Sequence, residues 1–329
     1  MNIYITLDYE LFFGDTSGSV ENCIIKPTEA LLKIVEPYKV KLVCFVDVGY
    51  LVKLEEHKEK FPKLQDDYDK VTKQIKYLSK NGHGIELHIH PHWEDSFYNG
   101  KEWKFDTSRY KLADFSADEI MRIVTEYTQT LTRISGKAPK AYRAGGWSAQ
   151  PFKEIGKALL ANAISIDSTV YPGGYYESSA QYYDFRKVKQ YNTGYRFSED
   201  LTLEKPKGPF EEIPISSYEV SPLFFWKFAY HKLRKQEKHR AFGDGQAIAK
   251  TKNDTIKLLL KTSNSVVSID GYKTTYLQKA YNEYNKNTNG QGNFVIIGHP
   301  KAITLYSLKK LDEFIMKSFK SNKYKTFKD

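Results

Sequence analysis

Three histidines, His88, His90 and His92, alternate with apolar residues or Pro91 in Gly-His-Gly-Ile-Glu-Leu-His-Ile-His-Pro-His-Trp, residues 82–93. In a β-strand, side chains at i, i+2 and i+4 share a face, so this spacing aims three imidazoles the same way, as metal ligation needs. At the start of the chain, Asn-Ile-Tyr-Ile-Thr-Leu-Asp-Tyr-Glu reads as a strand with Asp8 and Glu10 on one face at its C-terminal end. Two carboxylates and three imidazoles together make a hydrolytic set. Taken singly the parts are ordinary: histidines line solvated strand faces, and Asp-x-Glu after an apolar run serves as a helix-capping loop.

The elements that must hold these residues are legible as alternating patterns. Strand-like runs fall near residues 2–8, 41–46, 84–90, 163–167, 265–269 and 293–297, with shorter ones at 141–143 and 212–215. Helical patterns lie between them at 28–37, 66–80, 116–134, 151–161, 246–261, 273–286 and 304–319. Seven or eight strand–helix units predict a single α/β domain over 1–329 that forms a parallel barrel. No glycine-rich dinucleotide fingerprint opens the first helix, which counts against an open doubly wound sheet. Asp8, Glu10, the histidine trio, Arg143, Asp167 and His299 each end a strand, where a barrel places its active-site mouth. Insertions are expected at about 92–115, 168–211 and 221–245. In the second, Tyr171, Tyr175 and Tyr176 beside Gly173 and Gly174 suit stacking on a sugar ring.

Composition narrows the partners. A formal charge of +10 points to acidic ones, such as phosphorylated substrates or anionic lipid heads, and no nucleic-acid motif accompanies it. Two cysteines, Cys23 and Cys44, give no disulfide framework, which fits a reducing compartment. The first strand begins at Met1 without a signal-peptide pattern, and no apolar run approaches the ~18–20 residues of a spanning helix, so a cytoplasmic location is expected. From Ser221 to Arg240 an aromatic cluster runs into Lys232, Arg234, Lys235, Lys238 and Arg240. This is either a barrel insertion packing its aromatics on the body or a segment lying at an anionic membrane surface. The sequence leaves the oligomeric state open.

Taken in order, the motifs resemble those of the NodB-type polysaccharide deacetylases, metal-dependent carbohydrate esterases with a distorted (β/α) barrel. Thr-Leu-Asp-Tyr-Glu resembles the first motif, the His-rich segment the His-x-x-x-His motif, and Arg-Ala-Gly-Gly-Trp the third. Ile-Asp-Ser-Thr and Ile-Ile-Gly-His-Pro resemble the fourth and fifth. His-Pro-His-Trp and Gly-His-Pro-Lys look most like deacetylase-like proteins of bacterial surface-polysaccharide and O-antigen biosynthesis.

The resemblance implies Asp8 as general base and Glu10, His88 and His92 as ligands of one divalent ion, zinc before cobalt, nickel, manganese or iron. His90 either replaces His92 or hydrogen-bonds behind the ligands. Arg143 would keep Asp8 ionised and His299 would act as general acid. Asp167, matching the fourth motif by order, or Asp270, which also ends a strand, would orient that imidazole. Trp147 would wall the acetyl methyl group, with Trp93 and Tyr171 also at the substrate. Where the commoner motif has adjacent aspartates, Tyr9 intervenes here and Glu10 is one methylene longer. The implied activity is removal of an N-acetyl group from an acetamido sugar, a nucleotide- or lipid-linked surface-glycan precursor. Hydrolysis of another amide and a non-catalytic scaffold are the alternatives, and Asp8, Arg143 and His299 count against the scaffold, since metal binding alone needs none of them.

Overall fold

A computed structural model describes residues 1–328 apart from Lys235, 249–255 and Lys257. Much of the helix expected at 246–261, and Lys235 of the basic cluster, therefore lie outside the described residues.

The central strands are β1 (Asn2–Tyr9), β2 (Leu42–Asp47) and β3 (Gly84–Ile89). β1 is buried along almost its whole length, and β2 and β3 along all of theirs. Near-continuous burial, rather than alternation, is what a parallel sheet covered on both faces requires. After a small antiparallel ribbon, β4 (Phe97–Tyr98) with β5 (Trp103–Lys104), the sheet continues through β6 (Ala141–Ala144) and β7 (Ile166–Asp167). A second ribbon, β8 (Tyr175–Glu177) with β9 (Tyr182–Asp184), precedes β10 (Tyr195–Phe197) and β11 (Phe210–Glu212). Then come β12 (Ser217–Val220), β13 (Ser263–Val266), β14 (Asn293–Gly298) and β15 (Lys323–Tyr324). The main sheet runs β10-β11-β7-β6-β3-β2-β1-β14, with β15 also on β1. Its pairings are parallel except for β10 on β11.

The curled sheet is a distorted (β/α) barrel whose last side is irregular. Ser216 N–H donates to Val295 O at 3.0 Å, Val267 N–H to Ser216 O at 2.7 Å and Ile269 N–H to Ile297 O at 2.9 Å, linking the far end back to β14. This corrects the sequence reading at three runs. Of 163–167 only Ile166–Asp167 forms a strand, and of 212–215 only Glu212 does. Of 265–269 the first part turns aside into an antiparallel ribbon with β12, and the rest meets β14 through isolated hydrogen bonds.

The helices are α1 (Lys26–Val35), α2 (Val48–His57), α3 (Pro62–Lys80), α4 (Ala117–Ser135), α5 (Lys153–Ala161), α6 (Pro222–Leu233), α7 (Leu277–Asn287) and α8 (Leu305–Ser318). Packing of α2, α3 and α4 on one another, α4 on α5, and α1 on α8 forms the outer layer. α4 shows how local sequence sets a boundary. Ser116 and Glu119 close a capping box at its start, and Gly136, at φ 74°, takes the left-handed position at its end. No helix among the described residues is long and apolar enough to cross a membrane.

Candidate active site

The candidate side chains meet at the C-terminal ends of the parallel strands. Thr6 and Asp8 share a face of β1, and Arg143, on β6, joins them. The Arg143 guanidinium donates through Nη1 to Asp8 Oδ1 at 2.6 Å and to Thr6 Oγ1 at 3.0 Å, and through Nε to Ser168 O at 2.7 Å. It lies 4.0 Å over the Phe45 ring and is fully buried. A buried cation is tolerated when its donors are used in this way, and the arrangement ties one oxygen of Asp8 while leaving Oδ2 toward the pocket.

Beside this pair lies a cluster of cation-ligand type. Glu10 Oε2 is 3.1 Å from His88 Nε2 and 2.7 Å from His90 Nε2, and the three ligand atoms lie within 4.8 Å of one another. His88 Nδ1 is engaged with Arg143 O at 2.8 Å, which turns the Nε2 lone pair toward Glu10. A carboxylate oxygen facing two imidazole nitrogens is a donor set that a divalent cation satisfies, and all three residues are buried. Burial, the largest influence on Glu10, favours the neutral acid. Lys301 and the two imidazoles outweigh it and hold the group well below the usual carboxylate range. Gly145 is required here, since a Cβ on it would stand 2.5 Å from His90 Nδ1.

His92 stands outside that cluster. β3 ends at Ile89, and Pro91–Asp95 forms a 3₁₀ turn that carries His92 away from the strand face. Its ring is stacked on Tyr110 at 5.6 Å and 3°, is edge-on to Phe13 at 4.7 Å, and has no hydrogen-bond partner on either nitrogen. Burial, and then the neighbouring His90, push its pKa well below the ordinary value, so it is neutral.

His299 follows β14. Its Nδ1 meets Asp270 Oδ2 at 2.8 Å, and its backbone N–H donates to Asp270 Oδ1 at 2.8 Å. Its Nε2 faces the site, 3.6 Å from Asp8 Oδ2 and 3.9 Å from Glu10 Oε1. Burial alone would lower this imidazole's pKa, but Asp270, Asp8 and Glu10 together raise it above its ordinary value. Asp167 has a different task from the one its motif order suggested. Its carboxylate accepts from Thr169 N–H at 2.8 Å and from Thr169 Oγ1 at 3.0 Å, and Thr169 in turn accepts from Ala144 N–H at 3.0 Å. Asp167 thus shapes the turn after β7, and Asp270 is the residue on His299.

Of the residues expected at the substrate, Trp147 and Tyr171 form an aromatic wall with Tyr183. Trp147 lies 5.4 and 5.7 Å from the two tyrosine rings, whose hydroxyls are 3.0 Å apart. Trp93 is instead wholly buried, with its indole N–H donating to Asp47 Oδ2 at 2.6 Å. It belongs to the packing beneath the site.

Two residues escaped the sequence reading. Asp47 ends β2 opposite His88, and burial above all pushes its pKa up to about 6. Its signal was available, since it closes an apolar strand just as Asp8 and Asp167 do. Lys301 donates to Glu10 Oε1 at 2.9 Å, and nothing in its surface-type chemistry marked it as buried.

No protein-family model and no curated protein matches the sequence. Solved structures match over the whole chain. A protein from Pseudomonas aeruginosa PAO1 described as a polysaccharide deacetylase superposes with a TM-score of 0.53 at 12% identity, over 100% of this chain and 88% of that one. A Mycobacterium smegmatis protein of the same description gives 0.51 at 15% identity, over 99% and 87%. A GH57-type branching enzyme from the archaeon Pyrococcus horikoshii gives 0.52 at 10%, over 99% and 69%. At such identities the likeness establishes the fold. One architecture carrying different chemistries leaves function to the site itself.

Proposed function

We propose that this chain is a metal-dependent hydrolase that removes an N-acetyl group from an acetamido sugar. One observation carries the reading: a proton-transfer pair, Asp8 and His299 at 3.6 Å, abuts the Glu10–His88–His90 cluster at the mouth of a barrel. Two solved structures of this fold are described as polysaccharide deacetylases, which supports the substrate class.

Amide hydrolysis needs an activated water, stabilisation of the oxyanion and a proton for the departing amine. Glu10, His88 and His90 would hold the cation, and a carboxylate with two imidazoles suits zinc with positions left open. Such an ion, when bound, supplies Lewis acidity toward the acetyl carbonyl and the attacking water. Asp8 takes the water's proton at Oδ2, because Oδ1 is tied to Arg143. His299 delivers a proton from Nε2 to the amine nitrogen, because Nδ1 is fixed by Asp270. The Trp147–Tyr171–Tyr183 wall offers an apolar surface for the acetyl methyl or a sugar face.

The carrier we favour is a lipid. α6 buries Phe224 against Tyr272 and Tyr276, while Leu223, Trp226 and Tyr230, at i, i+3 and i+7, are 61%, 56% and 50% exposed beside Lys227 and Arg234. That face suits an anionic membrane surface. A cavity of about 1340 Å³ runs from Phe13, in ring contact with His90, along Phe225 and Phe228 of this helix. Acetate release from a panel of acetamido sugars, free, nucleotide-linked and lipid-linked, tests the proposal. Release from none of them by zinc-loaded protein would refute it.

A further inference from the structure

Lys301 is an anomaly at a cation site. It is 7% exposed, and its ammonium donates to Glu10 Oε1 at 2.9 Å and to Leu11 O. It also lies 4.8 and 5.1 Å from the Phe12 and Phe13 ring centroids. Two of its three donors are committed to Glu10 and Leu11, and the aromatic rings crowd it, so it is poorly placed to bind substrate or relay protons. What it does touch is the one carboxylate of the Glu10–His88–His90 set, on the oxygen opposite the imidazoles.

Two consequences follow from that placement. Glu10 is held by Oε1, so a single oxygen, Oε2, is offered between His88 and His90. And the carboxylate's negative charge is offset by a cation within hydrogen-bond distance, in a site where Asp8 is likewise offset by Arg143. We propose that Lys301 is a positioning residue that fixes Glu10 as a one-oxygen ligand and lowers the site's affinity for a divalent cation below that of an unopposed Glu-His-His set. Repulsion between the ammonium and a doubly charged ion at this range outweighs the loss of orientation when Lys301 is removed, even at the effective dielectric of a protein. A metal centre so tuned keeps more of the ion's charge for the substrate, because its protein ligands neutralise less of it.

This inference rests on the metal-site reading above, and the test separates the two. Zinc affinity is measured by chelator competition for the wild-type chain and for Lys301→Met, Lys301→Gln and Lys301→Arg, with folding checked by circular dichroism. The neutral variants are expected to bind about tenfold tighter or more, and Lys301→Arg, which keeps the charge, to stay near wild type. A purely structural lysine would give the opposite sign, since damage to the site weakens binding. Equal or weaker binding by folded Met and Gln variants would overturn the inference while leaving the metal site standing. Failure of both neutral variants to fold would assign Lys301 to the core and overturn it as well. No zinc binding by the wild-type chain would remove both claims.

Discussion

Asp270 and Asp167 both follow strand-like runs, Asp167 is buried and Asp270 half-buried, and motif order alone pointed to Asp167 as partner of the candidate acid. The structure separates them by contact, with Asp270 at 2.8 Å from His299 Nδ1 and Asp167 on Thr169. Asp270→Asn is therefore expected to cut kcat by about tenfold to a hundredfold with zinc content unchanged. Asp167→Asn should act on thermal stability before it acts on kcat at 25 °C. Asp8→Asn and His299→Ala should each remove about 10²–10⁴-fold of turnover, as lost acid–base groups do. Steady-state kinetics with metal analysis checks the series, and near-normal kcat in either of the last two would remove that residue from the mechanism. The histidine trio gives the same lesson. Alternation held through His90 and failed at His92, because Pro91 opens a 3₁₀ turn and ends the period of two.

Among the elements, β3 pairs an end at the candidate metal cluster with a costly interior. Glu86 is fully buried, accepting from Lys140 N–H at 2.7 Å and Ala141 N–H at 2.9 Å through Oε2, while Oε1 has no partner. Burial pushes its pKa from 4.5 up to about 7. The folded chain thus holds this proton more tightly than the unfolded one. Its contribution is fully present below the unfolded value and is lost as pH rises toward 7. Glu86→Gln mimics the protonated form, so it should gain stability over the parent on going from pH 5 to pH 8, by on the order of 3 kcal/mol. Urea unfolding at the two pH values measures it, and a difference independent of pH would contradict the account. α6 offers a second test at this scale. The aromatic and basic clusters were legible in the sequence, but which of the aromatics face outward was not, since Phe224 is buried and Trp226 is exposed. Sedimentation with anionic liposomes should fall with salt and with Leu223→Ser, Trp226→Ser and Tyr230→Ser together. Equal pelleting with neutral vesicles, or none, would rule out the membrane reading.

At the scale of the whole molecule, the parallel core was readable because β1, β2, β3 and β14 carry apolar runs long enough to mark fully covered strands. The closing side was not readable. There Ser216 and Val267–Ile269 are joined to β14 by a few hydrogen bonds rather than a strand ladder, which leaves no periodic trace in the sequence. Asp270 sits at the end of that irregular segment, which is why the sequence offered it only as an alternative to Asp167. The barrel's purpose in this account is to bring Glu10, His88 and His90 beside Asp8 and His299. The most direct measurement is acetate release together with bound zinc, in metal-stripped and reloaded protein and in His90→Ala and His92→Ala. One zinc per chain is expected, with activity lost on stripping and restored on reloading, zinc lost in His90→Ala and kept in His92→Ala. Acetate release that persists in fully stripped protein, or zinc that follows His92 rather than His90, would contradict it.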